Sequence, residues 1–180
     1  MARRRAGHDE PISRLKRKIA ECGKSLNPPL SEPEVVGFEG QHGIELPEGY
    51  RRFLTEIGNG GDGPPAYGLV PLSRGPDSSY RPEVEYWEQL PDVAKPFPFT
   101  EPWVWEGGDE SHEGSSEQVT HGSIFLGTDG CGMNWHLIVT GPERGNIWWL
   151  TGEGMQHTIP KRDFVTWYTD WLEGVENWWE

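Results

Sequence analysis

One residue of this 180-residue chain, Cys131, has the surroundings of a nucleophile. It lies between two glycines, and Asp129 and His136 place a carboxylate and an imidazole close to it in the sequence. A reactive thiol needs a lowered pKa, which a helix N-terminus or a neighbouring cation supplies. The surrounding residues predict a hairpin turn instead, where a small half-buried cysteine is the commoner structure. The sequence therefore predicts no catalytic residue.

A second group of side chains could bind a metal. Asp109, Glu110, His112 and Glu113 are the only dense set of metal-ligand types and could hold a hard cation in a loop. The alternative is a solvated acidic loop. The six histidines form no His-Glu-x-x-His pair, and no Cys-x-x-Cys occurs. We therefore expect no metal site and no cofactor.

The glycines from Gly58 to Gly63 resemble a phosphate-binding loop only in composition. A phosphate cradle follows a strand, opens a helix and carries Lys and Ser or Thr. Here the glycines follow a predicted helix and lead towards a predicted strand, and Asp62 would repel phosphate. The sequence predicts a turn-rich loop at this position.

The ten tryptophans and 29 acidic residues raise the alternative of a carbohydrate site. Trp148, Trp167 and Trp171 lie on periodic segments, which predicts that they fill the core. Trp103 and Trp105 adjoin the acidic segment and are better candidates for exposed contacts.

Composition and charge exclude several classes of protein. No apolar run approaches the roughly 20 residues of a membrane span, and no apolar segment follows the basic start as in a secretory signal. Two cysteines are too few for a disulfide scaffold, so we expect a cytoplasmic protein. The net charge is −13, which disfavours direct binding of nucleic acid and favours a basic partner. Residues 1–24 alone carry +5, and we expect them to form a frayed, solvated terminus.

Hydrophobic periodicity, caps and turn residues predict an α+β domain with early helices, a central antiparallel sheet and a last helix packed on it. We assign residues 1–30 to a basic N-terminal extension with a short helix and residues 31–180 to the domain. The predicted helices are 12–22, 31–41, 47–57 and 161–173, with a helical turn at 86–90. The predicted strands are 67–72, 103–105, 123–127, 134–140 and 146–150.

Two separated blocks carry a resemblance to a known family. The first reads Leu-Pro-Glu-Gly-Tyr-Arg-Arg-Phe-Leu at 46–54, Gly-Asn-Gly-Gly at 58–61 and Tyr-Gly-Leu-Val-Pro-Leu at 67–72. The second reads Ile-Phe-Leu-Gly-Thr-Asp-Gly-Cys-Gly at 124–132 and Leu-Ile-Val-Thr-Gly-Pro-Glu-Arg-Gly at 137–145, before Trp148 and a closing helix with Phe164, Trp167 and Leu172. These blocks resemble the SUKH superfamily, which includes a yeast cell-wall assembly regulator and many bacterial immunity proteins.

Two details refine this resemblance. The Thr-Glu-Pro-Trp segment at 100–103 and the Gly-Pro-Glu-Arg-Gly turn are similar to the actinobacterial branch of the superfamily. Many relatives carry an acidic residue just after the glycine turn, where this chain has Met133 and Asn134. A role that depends on that carboxylate is therefore not expected here.

The resemblance implies a compact α+β domain without known enzymatic activity. In bacteria such proteins typically bind and neutralise a cognate toxin, often a nuclease or a deaminase. We therefore expect a non-enzymatic, cytoplasmic immunity protein with a basic protein partner. The alternatives are a regulatory scaffold like the yeast relative and, less favoured, a carbohydrate-binding or hydrolytic protein. Aromatic anchors among charges predict the contact surface, which comprises Glu101, Trp103, Trp105, Glu106, Asp109, Glu110 and Glu113.

Overall fold

The computed structural model describes residues 9–72, 92–104 and 119–175. Within them the chain forms α1 (Asp9–Glu21), α2 (Glu32–His42), α3 (Glu48–Glu56), β1 (Trp103–Val104), β2 (Ser123–Gly130), β3 (Met133–Ile138), β4 (Ile147–Thr151), β5 (Gly154–His157) and α4 (Phe164–Glu173). The predicted α+β class is confirmed. The predicted helical turn at 86–90 lies outside the described residues.

Local sequence signals account for the helix ends. Glu34 accepts hydrogen bonds from the backbone N–H of Ser31 at 2.7 Å and from its hydroxyl at 2.6 Å, and this contact fixes the first turn of α2. Gly43 ends α2 in the left-handed conformation that glycine tolerates best. Asp163 caps α4 by accepting from the Thr166 N–H at 2.8 Å.

The five strands form one antiparallel sheet in the order β1-β5-β4-β3-β2. The sequence did not predict β5. The predicted strand at 67–72 is wrong, since the segment forms only an isolated bridge between Leu69 and Gly61. Gly68 has a φ of +86°, and Pro71 has no N–H, so a regular ladder cannot form there. The segment still lines the outer edge of β2, where Val70 N donates to Leu126 O at 2.8 Å.

Each face of the sheet has its own core. The helix-covered face carries Trp135, Leu137 and Ile147 and packs against the apolar sides of α1, α3 and α4. Trp135 meets Trp167 of α4 with ring centroids 5.4 Å apart, so the last helix packs on the sheet as predicted. The opposite face has a smaller cluster, which comprises Ile138, Trp148, Leu150 and Met155 with Phe97 and Val119.

Several side chains differ from their predicted environment. Ile12, Leu15 and Ile19 are buried in the main core, so the expected frayed terminus is folded from residue 9 onward. Cys22 follows the end of α1 and is exposed, although its spacing predicted an apolar position. The predicted burial of Trp148 and Trp167 is confirmed, whereas Trp171 is only partly buried. The domain boundary at residue 30 stays a prediction.

Candidate functional site

The structure describes the first part of the predicted contact surface, at the β1 edge of the sheet. Glu101 is exposed, and Val104 is 58 % exposed. Trp103 is half-buried, because its ring stacks on Phe99 at a centroid distance of 5.2 Å. Trp103 thus lies on the edge strand, and Glu101 lies two residues before it. The other predicted contact residues, Trp105, Glu106, Asp109, Glu110 and Glu113, lie outside the described residues.

Pairing with β5 positions this edge. Trp103 lies opposite Met155, and Val104 lies opposite Gly154. A Cβ at position 154 would be 2.0 Å from the backbone oxygen of Trp103, so only glycine allows β1 to approach. Phe97 anchors the preceding chain against Trp148 at a centroid distance of 4.9 Å. The half-buried indole is therefore held by its stacking on Phe99 and by the pairing of β1 with β5.

A partly buried ion pair ties the same segment to the rest of the molecule. Lys161 Nζ donates to Glu143 Oε1 at 2.7 Å and to the Thr100 backbone oxygen at 3.2 Å. Burial alone would raise the pKa of Glu143, but hydrogen bonds from Lys161 and Asn146 outweigh it, so the pKa lies below its ordinary value. Lys161 thereby connects the β3–β4 turn to the chain that leads into β1.

Ser123 and His136 form a buried polar pair on the same face of the sheet as Trp148. Ser123 Oγ donates to the Thr120 backbone oxygen at 2.7 Å and lies 3.1 Å from His136 Nδ1. Since the hydroxyl proton is used by the carbonyl, His136 must donate from Nδ1, and its neutral Nε2 carries a lone pair. Burial lowers the pKa of His136 to about 4. An imidazole that donates to serine does not act as its base, so this pair is not arranged as a catalytic dyad.

Sequence reasoning missed this pair, because it depends on strand register. Ser123 and His136 come from neighbouring strands, where Phe125 pairs with His136 and Ser123 pairs with Ile138. Across the same face His136 lies opposite Trp148, and Trp148 lies opposite His157. The available sequence signal was the alternation of polar and apolar residues around His136, which is typical of a strand.

The suspected nucleophile has a different environment from the one predicted. Cys131 is exposed, not half-buried, and has a φ of +51° on the β2–β3 turn. Asp129 is engaged elsewhere, since it accepts from the Ala66 N–H at 2.5 Å and from Trp135 Nε1 at 2.7 Å. His136 bonds to Ser123. The three side chains therefore do not act together.

A surface cleft of about 360 Å³ lies between α2, α3 and the β3–β4 turn. Arg51 bridges Glu39 at 3.2 Å and also contacts Glu32, so its guanidinium is used to join α2 and α3. Arg144 donates to the backbone oxygens of Glu45 and Leu46 at 3.2 and 3.1 Å. Both arginines thus serve to hold the helices and the turn together.

Two negative findings concern the described residues alone. Within residues 9–72, 92–104 and 119–175 no group of three His, Cys, Asp or Glu side chains is arranged to hold a metal ion. The acidic set at 109–113 lies outside these ranges. In the same part of the chain no helix has the length and apolarity required to cross a membrane.

The helix-covered antiparallel sheet with an aromatic edge strand defines an α+β domain. A family model described as the SMI1 / KNR4 family (SUKH-1) matches residues 29–170. The match spans more than half of the chain, so the protein belongs to this family and the predicted superfamily is confirmed. The actinobacterial assignment stays a prediction. No curated protein and no solved structure matches the chain.

Proposed function

We propose that this protein is a non-enzymatic, cytoplasmic binding domain that neutralises a cognate bacterial toxin of nuclease or deaminase type by stoichiometric contact. Membership of the SMI1 / KNR4 family over residues 29–170 is the observation that carries the proposal. The family resemblance implies toxin neutralisation in bacteria. The chain's own residues supply an aromatic and acidic surface for the contact and a net charge suited to a basic partner.

Electrostatics support a basic partner. The net charge of −13 attracts a cationic protein and accelerates encounter at low salt. A nucleic-acid-degrading enzyme that binds phosphates carries such a basic surface. Screening shortens the reach of this attraction to about 8 Å at physiological ionic strength, so the association rate should fall as salt rises.

The contact surface in this proposal begins at the β1 edge and continues into the acidic segment. Trp103 supplies a half-buried indole with little freedom to lose, and Glu101 supplies an exposed charge beside it. Rigid aromatic anchors among polar groups are typical of energetic centres in protein interfaces. We extend the surface to Trp105, Glu106, Asp109, Glu110 and Glu113.

Binding to purified basic toxins encoded beside this gene tests the proposal, with calorimetry for affinity and toxin activity as the second readout. We expect one-to-one binding that abolishes toxin activity. Glu101→Lys should weaken the complex about tenfold, and Ala at Trp103 and Trp105 with Glu106→Lys and Asp109→Lys should weaken it further. Glu10→Lys, at an exposed position of α1 outside the proposed surface, makes the same charge change and is the matched control.

The outcomes separate the two candidate roles. If the wild type binds a toxin and none of these variants weakens the complex, the contact surface lies elsewhere. If no neighbouring toxin binds and only cell-wall or signalling proteins associate, the regulatory-scaffold alternative takes its place. Membership of the SMI1 / KNR4 family is compatible with this alternative too, because the superfamily that the sequence resembles includes a yeast cell-wall assembly regulator.

A further inference from the structure

Tyr67 is the most exposed large apolar side chain among the described residues, with 69 % of its surface accessible. It lies in a tight turn in which Gly68 N donates to Pro65 O at 2.7 Å. Two further bonds tie the turn to the sheet: Tyr67 N donates to Thr128 O at 3.2 Å, and Ala66 N donates to Asp129 Oδ1 at 2.5 Å. The backbone that carries the ring is therefore fixed to β2.

Close backbone packing makes this support rigid. Gly61 and Leu69 exchange two hydrogen bonds, of 2.9 and 2.6 Å. A Cβ at Gly68 would lie 2.8 Å from the Gly61 oxygen, and one at Gly127 would lie 2.6 Å from the Gly68 oxygen. Both glycines also have positive φ angles, so only glycine fits without strain. A ring on such a support loses little freedom when a partner binds it.

Small residues lie beside the ring. Tyr67 Cε2 lies 3.1 Å from the place where a Cβ at Gly130 would be, so the ring rests beside the β2–β3 turn. That turn continues through Cys131 and Gly132, which are both exposed and small. A large aromatic ring beside a low, glycine-rich turn leaves room for a partner side chain on the ring.

Charge indicates the chemistry of the partner. The two segments that frame the ring, 58–72 and 127–134, contain Asp62 and Asp129 and no Lys, Arg or His. A cation over a tyrosine face is attracted by the ring quadrupole, more strongly when the contact is desolvated. The whole chain adds a net charge of −13 to this attraction.

We propose that Tyr67 and the β2–β3 turn form a second docking surface, on which an Arg or Lys side chain of a basic protein partner lies over the tyrosine ring. This inference rests on the basic partner of the proposed function. It adds a contact at the β2 edge, which three strands of the sheet separate from β1. The two edges would then be contacted by different parts of the partner.

A photo-crosslinking amino acid in place of Tyr67, in the full chain, tests this surface. The same substitution at Val104 reports on the β1 surface, and at Val36, which is 53 % exposed on α2, it is the matched control. Each protein is irradiated with the purified basic toxins encoded beside the gene. We expect adducts from positions 67 and 104 and none from 36, with the position-67 adduct on a segment that contains Arg or Lys.

Equilibrium binding of the same toxins completes the test. Tyr67→Ala should weaken the complex about tenfold, while Tyr67→Phe keeps the ring face and should change it less than threefold. An adduct at 104 without one at 67, or unchanged affinity in Tyr67→Ala, would overturn this inference and leave the proposed function in place. Adducts at none of the three positions, together with no measurable binding, would overturn both.

Discussion

The two faces of the sheet are stabilised by different physical interactions. The helix-covered face is closed by aromatic and aliphatic packing, with Trp135 between Trp149 and Trp167 at centroid distances of 5.3 and 5.4 Å. The opposite face combines its apolar cluster with buried or partly buried ionisable groups, His136, Glu143 and Lys161. Apolar packing dominates the core of the first face, whereas the core of the second face includes a buried histidine and lies against the Glu143–Lys161 ion pair.

The largest expected effect concerns the helix-covered face. Trp135→Ala removes a fully buried indole and its hydrogen bond to Asp129, and the expected loss in the free energy of unfolding is about 3–5 kcal/mol. Chemical denaturation measures it. Trp171→Ala, at a partly buried position on α4, is the comparison and should cost less. Equal losses for both would contradict the ranking of these sites by burial.

A pH-dependent effect is expected from the opposite face. His136 has a pKa of about 4 in the fold, below the ordinary value of 6.5, so the unfolded chain binds its proton first as pH falls. Stability from this group is full above pH 6.5 and is lost between pH 6.5 and 4. The difference between the two pKa values corresponds to about 3 kcal/mol in the free energy of unfolding.

Denaturation at several pH values tests this effect in wild type, His136→Gln and His157→Gln. The free energy of unfolding should fall between pH 6.5 and 4 in the wild type and in His157→Gln. In His136→Gln it should fall less steeply over the same range. Because Glu143 and Glu173 have lowered pKa values, they add a loss at lower pH that all three proteins share. Parallel slopes in this window would contradict the assignment.

A smaller and more local effect is expected at the ion pair. Lys161→Met leaves Glu143, which is 7 % exposed, without its cation and frees the Thr100 oxygen. We expect a loss of about 1–2 kcal/mol and faster hydrogen exchange in residues 97–104. Lys16→Met on the exposed side of α1 is the control. Unchanged exchange in 97–104 would show that Lys161 does not position the β1 edge.

The smallest effect is expected at an exposed ion pair on the helical side. Arg14 lies 2.9 Å from Glu173 and joins α1 to α4, with the Arg14 side chain 56 % exposed. Solvent screening limits such pairs, so Arg14→Ala should change the free energy of unfolding by less than about 1 kcal/mol. A larger loss would mean that α1 is held to α4 by charge as well as by its buried apolar side chains.

Helices and caps could be predicted from the sequence, because their signals are local. The capping pair Ser31 and Glu34 and the aromatic spacing in α4 both led to elements that the structure contains. The predicted strand at 67–72 was wrong since its glycine and proline angles override β propensity. The segment that forms β5, Gly-Met-Gln-His, has no clear alternation and becomes a strand only by pairing with β4.

The site was less predictable, because it depends on contacts between distant parts of the chain. The bond between Lys161 and Thr100 joins residues 61 positions apart. The side-chain contact between Ser123 and His136 depends on the register of β2 on β3, which shifts at the bulge between Phe125 and Gly127. The exposure of Tyr67 follows from the turn and from the glycines beneath it.

The hydrogen bonds between the loop after α1 and the glycine-rich loop at 58–63 have a consequence for gene fusion. Asp62 N donates to Ser25 O at 2.8 Å, Asn27 N donates to Gly60 O at 2.9 Å, and the family match begins only at residue 29. A recombination event that joined a foreign module at residue 29 would remove Ser25 and Asn27, which bond to the glycine-rich loop at 58–63. It would also remove the three core residues of α1, which are Ile12, Leu15 and Ile19. Functional chimaeras that carry a foreign module on the N-terminal side should therefore have their junction before residue 9.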